Sequence, residues 1–512
     1  MALVFDLPVE LFFKIMANLS AEQIFRMSQT CKTAHEWVSQ REVWKTALKE
    51  ACDSNHLFEP TYPMESMDVP HLRRAALAIG RTARRSSGSQ EIRAVHREDQ
   101  ATRTARGLKK LGALNDVCII PGGRYLVELN SDCLRLWDLG IPWPSNDRID
   151  TVKLLSTIGG SEAFVCNFER LSTPLRCGDK MFRFVAIAQD RTSGHMVLKV
   201  YEVGPLPGDN EIRLLASKDT GAVFGTNWRC WLDGDCVITA LWRYSHIIVW
   251  DYVRNIHASW ESPIQDLLEV TSIDGIFIAW AHTGVIFWTT PELVEMDASV
   301  SLMEQDIGSN RPPTFYDTIK YPSWKAQHNL ALCKPRVMMS STWYRPLISS
   351  LTFDMVAFYR GIAHDGHPIT NVSITRHRCN IPQKTMTQQG APHVIRNFDT
   401  TKAAPSDNPY HIPLVERTMA IFSQQAVMGP KIPFIVLSTP PLGDDSIGEW
   451  NLETFAPSID GVSWMWMGQA SICPASGLAA YVCIDSEGRA LYTASMRQLK
   501  LLLVRENLTD VK

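Results

Sequence analysis

No two of the chain's twelve cysteines are spaced C-x-x-C. Zinc-ribbon and thioredoxin-type spacings are therefore missing. Thiols scattered through a long chain are expected to be small, buried and unpaired, in a reducing compartment. Charge of one sign is also in short supply. The formal net charge is −3 and the pI is about 6.5, so no global field calls for nucleic acid or an anionic membrane. Long apolar runs are absent too. The most apolar extended window, 273–288, is interrupted by Asp274, Gly275, His282 and Gly284, whereas a membrane helix needs about 20 apolar residues without such breaks. The opening MALVFDLPVE has no basic n-region, apolar h-region or small-residue cleavage site. The expectation is a soluble protein of the cytoplasm and/or nucleus, in which a sequon such as Asn371-Val372-Ser373 carries no glycan.

Signatures of chemistry are equally sparse. There is no G-x-S-x-G elbow, Walker loop or H-E-x-x-H pair. Gly122-Gly123 and Gly159-Gly160 do not open helices, so they are not phosphate cradles. His364 and His367 flank Asp365-Gly366 without a further ligand nearby, which reads as a turn. No catalytic residue, metal site or cofactor is expected.

What is present is an ordinary globular composition, 45% hydrophobic and 21% charged. A length of 512 residues allows two to four domains, or a small one joined to a large one. The first fifty residues differ in texture from the rest. Leu11, Ile15 and Leu19 recur every four residues, with Phe12 and Met16 widening that face, after a Leu7-Pro8 start suited to a first helical turn. Ser20 followed by Gln23 is a capping-box pattern opening a second helix, with Ile24, Phe25 and Met27 on its apolar side. Cys31, Ala34 and Val38 mark a third helix; Val43, Trp44, Ala47, Leu48 and Ala51 mark a fourth. This is more apolar surface than so small a cluster can bury, and a surplus of that kind implies a partner.

The run from Leu7 to Lys45 resembles the F-box family. The family pattern of Leu-Pro, Glu, an apolar helix, Leu-Ser, a second short helix, Cys-Lys and a late Trp falls here on Leu7, Pro8, Glu10, Leu19, Ser20, Cys31, Lys32 and Trp44. Ile24-Phe25 departs from the commoner acidic-Leu pair. The resemblance implies binding to the Skp adaptor of Skp–cullin–F-box ubiquitin ligases. Carried over, Leu7, Pro8, Glu10, Leu11, Ile15, Leu19, Ile24, Cys31 and Trp44 face the adaptor or shape the face that does. For Leu19 and Ile24, domain core and interface remain equally open.

Residues 71–110 hold eleven Lys or Arg against three acids. The span 69–85 has Leu72, Ala75, Ala76 and Ile79 on one helical face, and Ser86-Ser87-Gly88-Ser89 follows as a break. Without interleaved aromatics for base stacking, this is expected to be a solvated helical linker, not a nucleic-acid site.

After residue 111 the rhythm is that of strands and tight turns. Strands are expected at 117–120, 125–129 and 133–138, at 237–241 and 247–251, across 182–203 and 273–288, and across 477–492. Two strands end in Trp137-Asp138 and Trp250-Asp251, which resembles the ending of a WD repeat of about 40–45 residues. The stretches 299–345 and 362–413 are richer in Pro, Gly, Ser, Asn and His and are expected to be long loops. Trp-rich strands, with Trp228, Trp231, Trp242, Trp250, Trp464 and Trp466 among them, are expected to pack between sheets, though an exposed one would suit recognition.

These readings give a small all-α F-box at 1–52, a basic helical linker at 53–111, and a large all-β domain at 112–512 shaped as a β-propeller of six to eight blades. The function they imply is a non-catalytic substrate receptor. Its partners are the Skp adaptor, through it a cullin–RING ligase, and a protein target, with no membrane or nucleic acid. The alternative is a propeller scaffold or hydrolase unrelated to ubiquitin. Removal of residues 1–50 is expected to abolish adaptor binding and leave the remainder folded.

Overall fold

A computed structural model describes residues 8–84, 90–98 and, apart from several segments between strands, 114–495. The helices come first: α1 (Val9–Met16), α2 (Ala21–Ser28), α3 (Lys32–Val38), α4 (Arg41–Ser54) and α5 (Val69–Arg84), with single 3-10 turns at Glu59–Thr61 and Met64–Ser66 before α5. The capping box that opens α2 is formed in both directions: Gln23 N donates to Ser20 Oγ at 3.3 Å, and Ser20 N donates to Gln23 Oε1 at 2.8 Å. None of these helices is long and apolar enough to cross a membrane, among the described residues.

Strand β1 (Gln90–Glu98) follows α5 and is displaced from the strands it joins by most of the chain. The remaining strands fall into consecutive antiparallel groups. The first is β2 (Leu114–Ile119), β3 (Tyr125–Asn130), β4 (Cys133–Asp138) and β5 (Lys153–Gly159); the second is β6 (Cys166–Leu171), β7 (Leu175–Arg176), β8 (Phe182–Asp190), β9 (His195–Val203) and β10 (Ile212–Val223). The third holds β11 (Trp228–Asp233), β12 (Cys236–Leu241), β13 (His246–Asp251) and β14 (Ile256–Glu261). The fourth holds β15 (Leu267–Ile273), β16 (Ile276–Ala281) and β17 (Gly284–Thr289); the short β18 (Val294–Glu295) adds to the third and β19 (Phe315–Thr318) completes the fourth. A fifth group comprises β20 (Ala331–Leu332), β21 (Arg336–Met338), β22 (Ser350–Ile362), β23 (Pro368–Asn380) and β24 (Thr385–Phe398). The sixth is β25 (Tyr410–Pro413), β26 (Thr418–Ser423), β27 (Phe434–Thr439) and β28 (Asn451–Ser458). The last three strands, β29 (Trp466–Cys473), β30 (Leu478–Asp485) and β31 (Gly488–Ser495), take β1 as their fourth. β1 also runs parallel to β28, merging the last two groups into one sheet.

The groups pack face to face. Successive side chains of a strand point to opposite faces, and here both faces are covered. In β8, Phe184, Ala186 and Ala188 pack with Val127, Leu129 and Leu136 of the first group, while Val185 and Ile187 pack with Leu232, Ile248 and Trp250 of the third. Ile238, Val249 and Trp260 then meet Phe277, Ile286 and Trp288 of the fourth. Trp280 meets Phe353 of the fifth edge-on at 5.4 Å. The first and last groups touch as well: Ile119 N donates to Ser471 Oγ at 2.8 Å. Among the described residues, successive groups of antiparallel strands in series, with the N-terminal strand joining the last, have the layout of a β-propeller. Trp137-Asp138 and Trp250-Asp251 both close the third strand of their group; Trp250, Trp260 and Trp280 are buried between sheets, and Trp137 lies in the core shared with the helices.

Two expectations change. The span 362–413 is not a long loop: β23 and β24 are among the longest strands, at 13 and 14 residues. Its polar composition concealed alternating β-branched residues and a buried arginine: Arg376 donates to Asp354, on β22, at 2.9 and 3.0 Å. The span 53–111 is not a solvated linker over its described part. Leu72, Ala75, Ala76 and Ile79 do share a buried face, but Leu77 and Ala78 are buried as well, because α5 lies between the other helices and the first sheet. Beyond it β1 is part of the β-domain.

Candidate functional site

α1 divides its apolar residues between two faces. Phe12 and Met16 turn inward, at 0% and 2% exposure, and Phe12 meets the Trp37 ring edge-on at 4.5 Å. Leu11 and Ile15, one turn apart, remain 45% and 39% exposed. Pro8 and Glu10 are exposed beside them and Leu19 is half-buried. Lys14, also exposed, lies one turn from Glu10 on the same side of α1. The helices have spent part of their apolar surface on their own core and left Leu11 and Ile15 outside it.

The other anticipated residues are distributed differently. Ile24 and Trp44 are 1% exposed and belong to the core that α1, α2 and α4 share. Both lie in the helical core, and neither lines the exposed Leu11–Ile15 face. Cys31 is exposed at the N-cap of α3, where its sulfur accepts from Ala34 N at 3.4 Å. Leu7 lies outside the described residues, as do His364 and His367.

Sequence reasoning missed the seam between the helices and the β-domain. Phe58 N donates to Pro121 O at 2.9 Å, and the Phe58 ring enters the core between the first two sheets, against Tyr125 and Phe182. Leu72, Ala75 and Ile79 share one core with Val117, Ile119, Leu126 and Trp137. Gly122, at φ +113°, lies so close to Thr61 that a Cβ there would overlap the threonine side chain. The Pro121-Gly122-Gly123 turn was legible; the segment packed on it was not.

No group of three or more His, Cys, Asp or Glu is placed to hold a metal ion among the described residues. Burial pushes the thiols of Cys118, Cys133, Cys230 and Cys236 up to about 12, away from the thiolate form that nucleophiles and metal ligands need.

Comparison with solved structures returns loose likenesses only. The WD40 domain of SCAP from fission yeast has a TM-score of 0.35 at 9% identity, over 75% of this chain and 85% of that one. The N-terminal domain of Nup159 gives 0.34 at 10%, over 80% and 97%. The alpha-L-arabinanase of Penicillium chrysogenum, solved with arabinobiose, gives 0.32 at 8%, over 80% and 98%. Likenesses at this level say nothing of what this chain binds or does. No curated protein matches it in sequence. The family model described as the F-box domain does match, over residues 4–46, so the helices that carry the exposed Leu11–Ile15 face are those of an F-box domain.

Proposed function

We propose that this chain is a substrate receptor of a Skp–cullin–F-box ubiquitin ligase. The observation that carries the reading is the F-box match over residues 4–46 together with Leu11 and Ile15 left exposed on a folded helix. In this reading Leu7, Pro8, Glu10, Leu11, Ile15 and Leu19 meet the Skp adaptor, Cys31 flanks that contact, and Ile24 and Trp44 support it from within. The β-domain holds a target protein and the chain itself makes or breaks no bond. Its contribution is proximity: a target lysine held near the ubiquitin-loaded enzyme reacts as though at high local concentration. The setting is the cytoplasm, the nucleus or both.

The test is a binding titration with the purified Skp adaptor, comparing the intact chain with the Leu11→Asp, Ile15→Asp double variant. Both residues already face water, so the variant should fold. Burying two half-exposed apolar side chains contributes a few kcal/mol, and a buried carboxylate reverses that gain, so affinity should fall on the order of 100-fold. A well-folded intact chain that does not bind, or a double variant that binds equally well, refutes the proposal.

A further inference from the structure

We propose that Arg124, oriented by Asp138, is the positioning residue that sets the angle of the F-box helices on the β-domain. The consequence for ubiquitin transfer rests on the ligase reading; the geometry does not.

Arg124 follows the first turn of the first sheet and is only 14% exposed in its side chain. Its Nε donates to Asp138 Oδ1 at 3.0 Å and Oδ2 at 3.1 Å, and its Nη2 donates to Oδ2 at 2.7 Å. That fork fixes the guanidinium plane. The remaining Nη1 then donates to the carbonyl of Pro60, in the segment between α4 and α5, at 3.0 Å. The guanidinium carbon lies 5.1 Å from the centre of the Tyr125 ring, whose hydroxyl reaches the same carbonyl at 3.5 Å. Asp138 is held in turn: its Oδ1 accepts from Gly140 N at 2.9 Å. The neighbouring Trp137 is pinned by its indole N–H to buried Glu128 at 2.6 Å.

The second Trp-Asp pair supplies an internal comparison. Asp251 also accepts from an arginine, Arg254, at 2.7 Å, but its other bonds are to the amides of Val253 and Arg254 in its own turn. Arg254 is 67% exposed. One Trp-Asp ending closes its own turn; the other aims an arginine across the seam.

Apolar burial between α5 and the first sheet holds the two parts together but is non-directional. Directional bonds at the seam select one orientation. Lysine carries the same charge but cannot reach a carboxylate and a carbonyl with a rigid planar fork.

The experiment measures distances between spin labels introduced as non-natural residues at Lys49, on α4, and Thr192, in the turn between β8 and β9, in the full chain without adaptor. Both sites are exposed. The wild type should give a single narrow distance peak. Arg124→Lys and Asp138→Asn should each shift or broaden it, with far-ultraviolet circular dichroism and adaptor affinity unchanged. Arg124→Lys, the milder change, decides the matter if Asp138→Asn does not fold. A broad distribution in the wild type, or an unaltered peak in Arg124→Lys, overturns the proposal. A narrow wild-type peak in a chain that fails to bind the Skp adaptor instead refutes the ligase reading and leaves the latch standing.

Discussion

Asp116 sits where charge is disfavoured. It is buried at the start of the first sheet, and that burial raises its carboxyl to about 6, against the opposing pull of the Leu171 amide, Arg170 and the Val117 amide. Its oxygens accept from Val117 N and, across to the second sheet, from Leu171 N, each at 2.9 Å. The folded state therefore holds a proton that the unfolded chain, titrating near 4, has already released. Between about 4 and about 6 this group makes stability fall as pH rises. Urea unfolding across that window should show this slope in the wild type and a flatter one in Asp116→Asn. Equal slopes would remove Asp116 as the cause. The identity of Gly122 is constrained by both conformation and space. Gly122→Ala meets both a positive φ and the Thr61 side chain, and should cost about 1–3 kcal/mol in denaturant unfolding.

Among the elements, α1 shows what a sequence does and does not disclose. Its apolar positions and the cap of α2 were readable from spacing. Which apolar residues turn inward was not, because Leu11, Phe12, Ile15 and Met16 have the same character and only the neighbours decide. The structure predicts that they separate on mutation. Phe12→Ala should destabilise the helical part by about 3–5 kcal/mol in thermal or denaturant unfolding, while Leu11→Asp should leave it folded. The strands of the fifth group show the converse. The Pro, Gly, Ser, Asn and His of 362–413 made it resemble a loop, yet Arg376 within it pairs with Asp354 of the neighbouring strand inside the sheet. Arg376→Leu leaves Asp354 buried without that arginine and should cost about 3–5 kcal/mol; a variant as stable as wild type would mean the pair is dispensable. β1 was illegible for another reason. Its partners in β28 and β31 are hundreds of residues away, and local pattern carries no information on long-range pairing.

For the molecule as a whole, the seam alters how the two parts can be separated. The span 53–111 was expected to join independent domains, yet α5 is buried against both. Removing residues 1–50 would strip the cover from Leu72 and Ala76 on α5, so the truncated chain should aggregate or lose protease resistance, and point substitutions on the exposed face are the cleaner probe. The same seam leaves the two ends of the first sheet unequal. The helices lie against the Pro121-Gly122-Gly123 turn and Leu139, at one end of the first sheet, while the Ser131-Asp132 turn is at the other. In the proposed role this separates the adaptor contact from a target held at the far end.

The most direct measurement is amide hydrogen exchange of the intact chain with and without the Skp adaptor. The account predicts that adaptor slows exchange in residues 8–19, around Leu11 and Ile15, and leaves strands β3 and β4 unchanged. Protection confined to the β-domain, or no change anywhere when adaptor is in excess, would contradict it.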